Sequence, residues 1–406
     1  MQGPLSGVRV IDMTTVLMGP YASQLLGDMG ADVVKVESPQ GDLVRGLGPM
    51  RNPGMGSIFL HVNRSKRAIT IDAKQKEGYD ILCRLLEDAD VLLYNLRPKS
   101  MARLGLSYEA VAKVNPRLLY VGTFGFGQGG RYADKPAYDD LIQGAIGLPS
   151  WIKRAGASVP RYVPSNIVDR TVGLYAVSAI SSALYYREKT GKGQRIDIPM
   201  FETMLSHLIS DHMAGLTFDP NIGGAGYARL LAAERRPYQT KDGYVCAVIY
   251  SNKQWRAFYR AIDREAEFDQ DARLQSLDSR NSHMAELQHM LSEFFQEKTT
   301  VQWLEILEDA DIPSMPLPTL ETIFDDPHLN EVGFFEWQEH PTEGRIRDIG
   351  VPTTWSASQP TPSRPAPQFG EHTREVLQEA GYTPEQIQHY LDQGVVYDAT
   401  PDMEDV

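Results

Sequence analysis

Residues 8–37 read VRVIDMTTVLMGPYASQLLGDMGADVVKVE, and they decide the fold. Residues 8–15 are rich in β-branched and apolar side chains, which predicts a strand. Residues 19–31 carry apolar side chains at helical spacing and end at the Gly30 region, which predicts a helix. Residues 32–37 predict a second strand. A strand, a helix and a strand within about thirty residues form a βαβ unit, which indicates a parallel sheet.

The same alternation continues along the chain. Residues 67–73, 91–95 and 117–124 predict further strands, and a long apolar helix from Asp169 to Glu188 precedes a strand at 195–199. We therefore predict an α/β protein with a large, doubly wound Rossmann-like domain and a smaller α/β domain. The predicted parts are 1–215 (N-terminal part of the large domain), 216–330 (linker and small α/β domain) and 331–406 (a return segment and C-terminal helix that complete the large domain, then an acidic tail at 398–406).

Composition narrows the possible functions. Of the 406 residues, 42% are hydrophobic and 23% are charged, as in ordinary globular proteins. The net charge of -13 argues against a broad surface for nucleic acid or anionic membrane. The N-terminal residues lack the features of a secretory signal, and no apolar run suggests a membrane span, so we expect a cytoplasmic protein. The two cysteines do not have metal-ligand spacing, and no metal site is expected.

Positive charge is concentrated in one segment. From Arg64 to Arg103 there are nine Lys and Arg residues against six Asp and Glu residues, an excess of +3 in an acidic chain. Charge runs are more often solvated surface than ligand sites. A local anion site for a small phosphorylated ligand is the functional alternative.

A glycine motif suggests a dinucleotide site at first sight. Gly125, Gly127 and Gly130 match the G-x-G-x-x-G pattern directly after a predicted strand. A charged loop containing Pro136 follows, whereas a dinucleotide-binding turn must open a helix whose N-terminus faces the pyrophosphate. The pattern therefore argues against nicotinamide or flavin binding.

Several segments together resemble one enzyme family, the class III CoA-transferases. They are LSGVRVID (5–12), GPYASQLLGDMGADVVKVESPQGDLVR (19–45), NRSKRAITID (63–72), DVLLYNLRPKSMARLGLSYE (90–109), GFGQGGRYADKPAYDDLIQGAIG (125–147) and the stretch 163–204 that begins VPSNIVDRTVG. The family includes formyl-CoA transferases, carnitine CoA-transferases, transferases for dicarboxylic acids and α-methylacyl-CoA racemases.

The resemblance implies that Asp169 is a covalent nucleophile. A carboxylate with a pKa near 4 would be ionised at pH 7 and could attack an acyl-CoA thioester without a base. Acyl-aspartyl anhydride and aspartyl-CoA thioester intermediates would follow, and glycine amides at 125–130 and 223–226 are candidate donors to the oxyanions. The structural alternative is that Asp169 only caps its helix.

The resemblance also implies the substrate contacts and the assembly. Matching residues for CoA binding are Lys74, Asn95, Leu96, Arg103 and, at a position that varies in the family, Arg97. Tyr138 matches a tyrosine beside the acyl group, with a half-buried core aromatic as the alternative. Acyl-CoA and a carboxylic acid would be substrates, no permanently bound cofactor is expected, and the family forms interlocked homodimers.

The choice of acid rests on Leu17, because formyl-CoA transferases have a glutamine at this position, and on residues 220–245, which do not match the mobile glycine-run loop of those enzymes. Leucine offers no hydrogen bond to oxalate, so we predict a longer acceptor, a C4–C5 dicarboxylic acid or a related acid, with succinyl-CoA as a candidate donor. If Leu17 only packs in the core, this argument has no basis.

Two other functions stay open. A racemase would need a base after the glycine turn, but no histidine lies between His61 and His207. The other is a CoA or nucleotide-binding protein without catalysis.

Overall fold

The computed structural model describes residues 3–399, and these form two compact units. The first unit contains the residues up to Ile146, Pro164–Leu205 and the residues from His328 onwards; the second contains Gly147–Val163 and Ser206–Pro327. The sequence predicts 147–163 and 206–215 as parts of the large domain, whereas both segments belong to the second unit, and residues 328–330, predicted in the small domain, belong to the first. Residues 400–406, most of the predicted acidic tail, lie outside the described part of the chain.

The described chain alternates strands and helices. The strands are β1 (Arg9–Met13), β2 (Asp32–Glu37), β3 (Lys66–Ile71), β4 (Val91–Tyr94), β5 (Leu119–Phe124), β6 (Gln194–Pro199), β7 (Tyr238–Gln239), β8 (Tyr244–Ala247), β9 (Ser314–Pro316), β10 (Phe335–His340), β11 (Gly344–Ile349) and β12 (Val396–Tyr397). The helices are α1 (Met18–Asp28), α2 (Ser57–Asn63), α3 (Lys76–Glu87), α4 (Pro98–Arg103), α5 (Tyr108–Val114), α6 (Asp139–Ala145), α7 (Leu148–Arg154), α8 (Ile167–Thr190), α9 (Met200–Leu208), α10 (Ser210–Met213), α11 (Asn252–Ala261), α12 (Glu265–Gln270), α13 (Leu277–Ser282), α14 (Met284–Phe295), α15 (Thr300–Asp309), α16 (Pro327–Glu331), α17 (Thr373–Glu379) and α18 (Pro384–Asp392).

The first unit is built on a sheet in the order β12-β3-β2-β1-β4-β5-β6. Strands β1 to β6 pair in parallel, and β12 is antiparallel to β3. The chain adds β2 and β3 on one side of β1 and then crosses to add β4, β5 and β6 on the other side. The order therefore reverses between β1 and β4, and ligands bind at the carboxyl ends of the strands at such a point. The mixed α/β fold with a mainly parallel sheet is confirmed.

Close packing of helix α8 against α1 positions the start of α8. A Cβ atom added at Gly173 would lie 2.9 Å from the Met18 carbonyl oxygen and 3.0 Å from Tyr21 Cδ1, so a larger residue would force the two helices apart. Nearby, the Arg170 guanidinium lies 4.4 Å from the centre of the Tyr21 ring. The first turns of α8 are therefore held against the N-terminal half of α1, which begins just after the carboxyl end of β1.

Helix α8 is long and apolar enough, by length and composition alone, to cross a membrane. The sequence pattern had suggested no such segment in this chain. A core helix of a folded domain passes the same test, and α8 packs against α1 and α6. The burial of its Val172 and Ile180 side chains agrees with this role.

The second unit has its own core. Its sheet, in the order β7-β8-β9, is antiparallel and packs with helices that bury large aromatic side chains. Trp255, Phe258, Phe295 and Trp303 are each at most 2% exposed, and the rings of Tyr238 and Phe295 stack at 4.5 Å. Such burial gives the unit a hydrophobic core independent of the large sheet.

Candidate active site

Asn95 joins the two strands at which the sheet order reverses. It follows β4 directly, and its Oδ1 accepts a hydrogen bond from the Thr15 amide at 3.1 Å while its Nδ2 donates to the Thr15 carbonyl at 2.7 Å. Thr15 follows β1. The side chain of Asn95 thus ties the carboxyl ends of β1 and β4 together, with Leu96 and Arg97 in the turn that leads to α4. These three predicted CoA contacts lie where the fold favours ligand binding.

Asp169 lies in the first turn of α8. Because α8 leads into the parallel strand β6, its N-terminus lies toward the carboxyl edge of the sheet. The N-cap residue of α8 is Asn166, so the interpretation of Asp169 as the cap is wrong. The nucleophile predicted from the resemblance is thus a side chain at the edge where strands β1 and β4 end.

Asp139 contacts the Asp169 segment, and the sequence analysis did not single it out. It is the first residue of α6 and is 6% exposed. Its Oδ2 accepts a hydrogen bond from the Asp169 amide at 2.9 Å, and its Oδ1 accepts one from the Gln143 side chain at 2.7 Å. Asp139 therefore binds a backbone N–H in the first turn of α8 from another helix. The pair Asp139-Asp140 at a helix start was the signal that could have drawn attention to it.

The pKa of Asp169 is shifted away from the expected value. Burial raises this pKa to about 7, the negative charge of Asp139 adds to the rise, and Arg170 opposes it. The expectation of an ordinary carboxylate with a pKa near 4 is therefore wrong. The physical reason is that a carboxylate removed from water and placed beside a second carboxylate is disfavoured in its charged form. A strongly shifted pKa of this kind is typical of functional sites.

Tyr138 immediately precedes helix α6 and is 67% exposed. The alternative prediction, that Tyr138 is a half-buried core aromatic, is therefore wrong. The loop before it is linked to the turn after β4, because Arg97 donates a hydrogen bond to the Asp134 carbonyl at 3.2 Å. Asp139 therefore links Tyr138, its neighbour in the chain, to the backbone of Asp169. Arg97 contacts the loop that precedes Tyr138.

Six of the nine basic residues of this segment form two groups with different roles, and the other three, Lys76, Arg84 and Lys99, form exposed ion pairs. Arg64 pairs with Asp28 and Asp348, Lys66 pairs with Asp12, and Arg67 pairs with Asp32 and two glutamates. These three basic side chains are buried, so their charge stabilises the fold and is not available to a ligand. Part of the charge excess that suggested an anion site is therefore structural.

The second group consists of Lys74, Arg97 and Arg103, which are exposed. None of the three forms an ion pair with a carboxylate among residues 3–399. Lys74 follows β3, so it lies at the same sheet edge as Asn95, and Arg103 ends the short helix α4, where its side chain donates to Ser100 at 3.1 Å. Within the described chain no hydrogen bond joins Lys74 or Arg103 to the Asn95 or Asp169 groups.

Two amides of the glycine turn are already engaged. The Gly127 amide donates to Glu202 Oε1 at 3.0 Å, and the Gly130 amide donates to the Gly127 carbonyl at 3.3 Å. These two N–H groups are therefore poorly placed as donors to an oxyanion in this conformation.

Leu17 lies immediately before helix α1 and is 6% exposed. Its backbone follows Val16, whose φ of 71° places it in the left-handed region. The side chain is thus buried in the packed start of α1. This burial favours the alternative in which Leu17 packs in the core, and it weakens the argument from Leu17 to the choice of acid.

Comparison with known proteins gives the family. Residues 5–373 match the model of CoA-transferase family III. The succinyl-CoA:glutarate CoA-transferase of Homo sapiens is 32% identical over 401 residues, which cover 97% of this chain and 90% of that protein. The succinate–glutarate CoA-transferase of Agrobacterium fabrum is 33% identical, with 93% of this chain and 95% of that protein covered. The succinyl-CoA:mesaconate CoA-transferase of Haloarcula marismortui is 30% identical, with 93% and 97% covered.

A solved structure agrees in sequence and fold. The structure of a CAIB/BAIF family protein from Brucella suis superposes with a TM-score of 0.79 at 30% identity, covering 94% of this chain and all of that one. The family model, the relatives and the fold lead to the same assignment. The chain belongs to CoA-transferase family III, and it is a class III CoA-transferase of enzyme class EC 2.8.3.

Proposed function

We infer that the protein transfers CoA from an acyl-CoA, with succinyl-CoA as the candidate donor, to a free C4–C5 dicarboxylic acid. Asp169 is the covalent nucleophile. The single observation that carries this proposal is the half-buried carboxylate of Asp169, with its pKa near 7, in the first turn of α8, where the Asp169 backbone amide donates a hydrogen bond to Asp139. The relatives named as glutarate and mesaconate transferases support the choice of acid.

The reaction proceeds in four balanced steps. The ionised Asp169 carboxylate attacks the thioester carbonyl, forms a mixed anhydride and releases CoA thiolate. The thiolate attacks the aspartyl carbonyl of the anhydride, which forms aspartyl-CoA thioester and frees the donor acid. The acceptor carboxylate then attacks this thioester, forms a second anhydride and releases the thiolate again. Attack by the thiolate on the acceptor's carbonyl gives the new acyl-CoA and restores Asp169.

The raised pKa has a consequence for this cycle. With a pKa near 7, part of the Asp169 side chains carries a proton at neutral pH, and the protonated form cannot attack the thioester. The same raised basicity makes the ionised form a stronger nucleophile than an ordinary aspartate.

Lys74, Arg97 and Arg103 are the proposed contacts for the phosphates of CoA, with Asn95 and Leu96 beside them. The three basic side chains are exposed, and no carboxylate among residues 3–399 forms an ion pair with them. Arginine and lysine of this kind favour phosphate oxygens. The exposed Tyr138 borders the acyl group.

Substitution of the nucleophile tests the covalent cycle. Asp169→Ala and Asp169→Asn should abolish transfer, and wild-type protein treated with succinyl-CoA and then hydroxylamine should carry the modification on Asp169, read by peptide mass spectrometry. Wild-type turnover in either variant would overturn the mechanism.

Thermal unfolding provides the control for folding. The pKa of the Asp169 carboxyl group is near 7 in the folded protein and about 4 in the unfolded protein. The free energy of unfolding therefore falls as the pH rises from 4 to 7. The Asp169→Asn variant should therefore melt at a higher temperature than wild type at pH 8 and at a similar temperature at pH 4. Loss of transfer in a variant with this profile cannot be attributed to misfolding.

The acceptor is tested by competition among acids with one donor. With succinyl-CoA as donor, kcat/KM should be higher for glutarate, malate, itaconate or mesaconate than for oxalate. Oxalate as the best acceptor would show that the proposed class of acid is wrong.

A further inference from the structure

The second unit contains a cavity of about 310 Å³ whose polar lining is mainly cationic. It lies among the segment before β7, strands β7 and β8, and helices α11, α13 and α14. Its lining includes four arginines, Arg229, Arg235, Arg236 and Arg280, and no Asp or Glu among the described residues. The mechanism proposed above uses none of these residues. In a chain with a net charge of -13, a cluster of this kind needs a physical reason.

Arg280 is the most deeply buried of the four arginines. It is 2% exposed, and its Nη1 donates to the Leu274 carbonyl at 2.7 Å. No carboxylate among residues 3–399 forms an ion pair with it, and burial lowers the pKa of its guanidinium from the ordinary value. Burial of an uncompensated charge is costly, so an anion bound in the cavity would relieve this cost.

The other arginines leave further positive charge at the cavity. Arg236 pairs with Glu234 at 2.9 Å, whereas the Arg229 guanidinium lies 5.0 Å from the centre of the Tyr250 ring. Neither Arg229 nor Arg235 forms an ion pair in the described part of the chain. With Arg280, three guanidinium groups are thus available to one ligand. Guanidinium groups bind carboxylates in bidentate fashion, which makes them suited to recognise acids.

One polar group at the cavity lacks a partner. Gln288 is 8% exposed, and its Oε1 atom has no hydrogen-bond partner among residues 3–399. Buried polar atoms in folded proteins are nearly always hydrogen-bonded. Because Oε1 accepts hydrogen bonds, an ionised carboxylate cannot pair with it, so only the arginines indicate an anionic occupant.

The remaining lining is mainly apolar. Trp255 and Leu291 are each 2% exposed, and Leu277 and Met284 extend the apolar wall. Ligand cavities range from roughly 300 to 1,000 Å³, so the volume of this one suits a small organic acid. Inorganic phosphate would meet the arginines but would leave the apolar wall without contact.

We propose that this arginine-lined cavity binds a small dicarboxylic acid and thereby serves the transferase reaction. The choice of acid rests on the proposed function, since C4–C5 dicarboxylic acids are the acceptors proposed there. The bound acid has one of two roles: it is the acceptor of the reaction, or it is a second molecule that regulates the reaction. Both involve the same chemistry, a pair of carboxylates on a short carbon chain against guanidinium groups.

Calorimetry on the full-length protein tests binding without catalysis. Glutarate is the probe, with butyrate and inorganic phosphate as comparisons. Arg229→Gln and Arg235→Gln should each raise the Kd for glutarate at least tenfold. Arg280→Lys keeps the charge but removes the planar fork, and it should also weaken binding. The matched control is Arg260→Gln, which removes an exposed arginine that pairs with Glu265 outside the cavity, and it should leave the Kd unchanged.

Three results would overturn the proposal. They are the absence of glutarate binding to wild type, the same Kd for glutarate in wild type and in the Arg229 and Arg235 variants, and phosphate binding as tight as that of glutarate. Because Asp169→Asn should bind glutarate like wild type while transferring no CoA, the two proposals are separable. Glutarate binding that depends on Arg235, in a protein that transfers CoA to no dicarboxylic acid, would sink the proposed function and leave the site standing.

Kinetics with succinyl-CoA as donor distinguish the two roles of the bound acid. If the bound acid is the acceptor, Arg235→Gln raises the KM for glutarate and leaves the KM for succinyl-CoA unchanged. If the bound acid is a regulator, added glutarate changes the rate of transfer to butyrate in wild type, and Arg235→Gln removes this effect. A variant that loses glutarate binding and shows neither change would refute a role of the cavity in the reaction.

Discussion

Asp139 and Arg170 set the ionisation of Asp169 in opposite directions. Asp139 is a second negative charge in direct contact with the Asp169 segment, and Arg170 is the next residue along α8. A like charge raises the pKa of a carboxyl group, and an opposite charge lowers it. The balance of these neighbours, on top of burial, determines which fraction of the enzyme is reactive at a given pH.

The pH profile of kcat/KM should reveal both neighbours. In wild type the activity should fall on the acid side with an apparent pKa near 7. Asp139→Asn removes the negative charge, so this limb should move to lower pH by about 1 unit. Arg170→Gln removes the positive charge and should move it to higher pH. Identical acid limbs in the three proteins would mean that another group controls the profile.

Arg103 provides the residue-scale test of CoA binding. Arg103→Ala should weaken the binding of CoA esters by about 1–3 kcal/mol, the range for a charge-assisted hydrogen bond, and KM should rise more than kcat falls. Added salt should reproduce part of this loss in wild type. Lys192→Ala is the control, because this exposed lysine follows the C-terminus of α8, toward the opposite edge of the sheet. Equal affinity of the Arg103→Ala variant and wild type by calorimetry would show that the phosphates bind elsewhere.

At the scale of secondary structure, buried charges join the first three strands of the sheet. Asp12 on β1, Lys35 on β2 and Lys66 on β3 are each 0% exposed. Lys66 contacts Asp12 at 3.2 Å, and Lys35 contacts Asp42 at 2.8 Å. Although burial favours the neutral acid, Lys66 and Lys35 lower the pKa of Asp12 below its ordinary value, whereas burial lowers the pKa of Lys66 to about 8.

Removal of one member of this network should destabilise the sheet. Asp12→Asn leaves Lys66 without its carboxylate, and breaking a buried pair costs about 3–5 kcal/mol. The free energy of unfolding in urea measures the loss. The double variant Asp12→Asn/Lys66→Met should recover part of it, because it removes the uncompensated charge. Asp80→Asn breaks an exposed pair with Lys76 and should change stability by less than about 1 kcal/mol. A similarly small change in Asp12→Asn would contradict the structural role of the network.

At the scale of the whole molecule, one face of α8 is apolar and exposed. Leu174 is 54% exposed, Tyr175 58%, Tyr185 67% and Tyr186 47%. Residues eleven positions apart, such as Leu174 and Tyr185, lie on the same side of a helix. An apolar stripe of this kind on a single chain indicates a covered surface, and we propose that a second copy of the chain covers it, as the family resemblance implies.

Sedimentation velocity tests the proposed homodimer. The wild-type protein should sediment as a dimer, and Leu174→Asp together with Tyr185→Asp should shift it toward monomer, because burial of two carboxylates at an apolar contact is costly. The variant Val114→Asp changes another exposed apolar residue, on α5, and should remain dimeric. A monomeric wild-type protein would refute the homodimer, and a dimeric double variant would place the contact on another surface.

Much of this protein follows from its sequence alone. The βαβ pattern of residues 8–37 predicts the parallel sheet, because side-chain periodicity is a local property of the chain. The motif around Asp169 identifies the proposed nucleophile, since the segment is contiguous. Only the tertiary structure shows that burial and Asp139, thirty residues away, raise the pKa of Asp169, and that Arg64, Lys66 and Arg67 are buried in ion pairs while Arg103 is exposed. Burial and charge pairing depend on contacts between distant segments, so the pattern of residues along the chain cannot determine them.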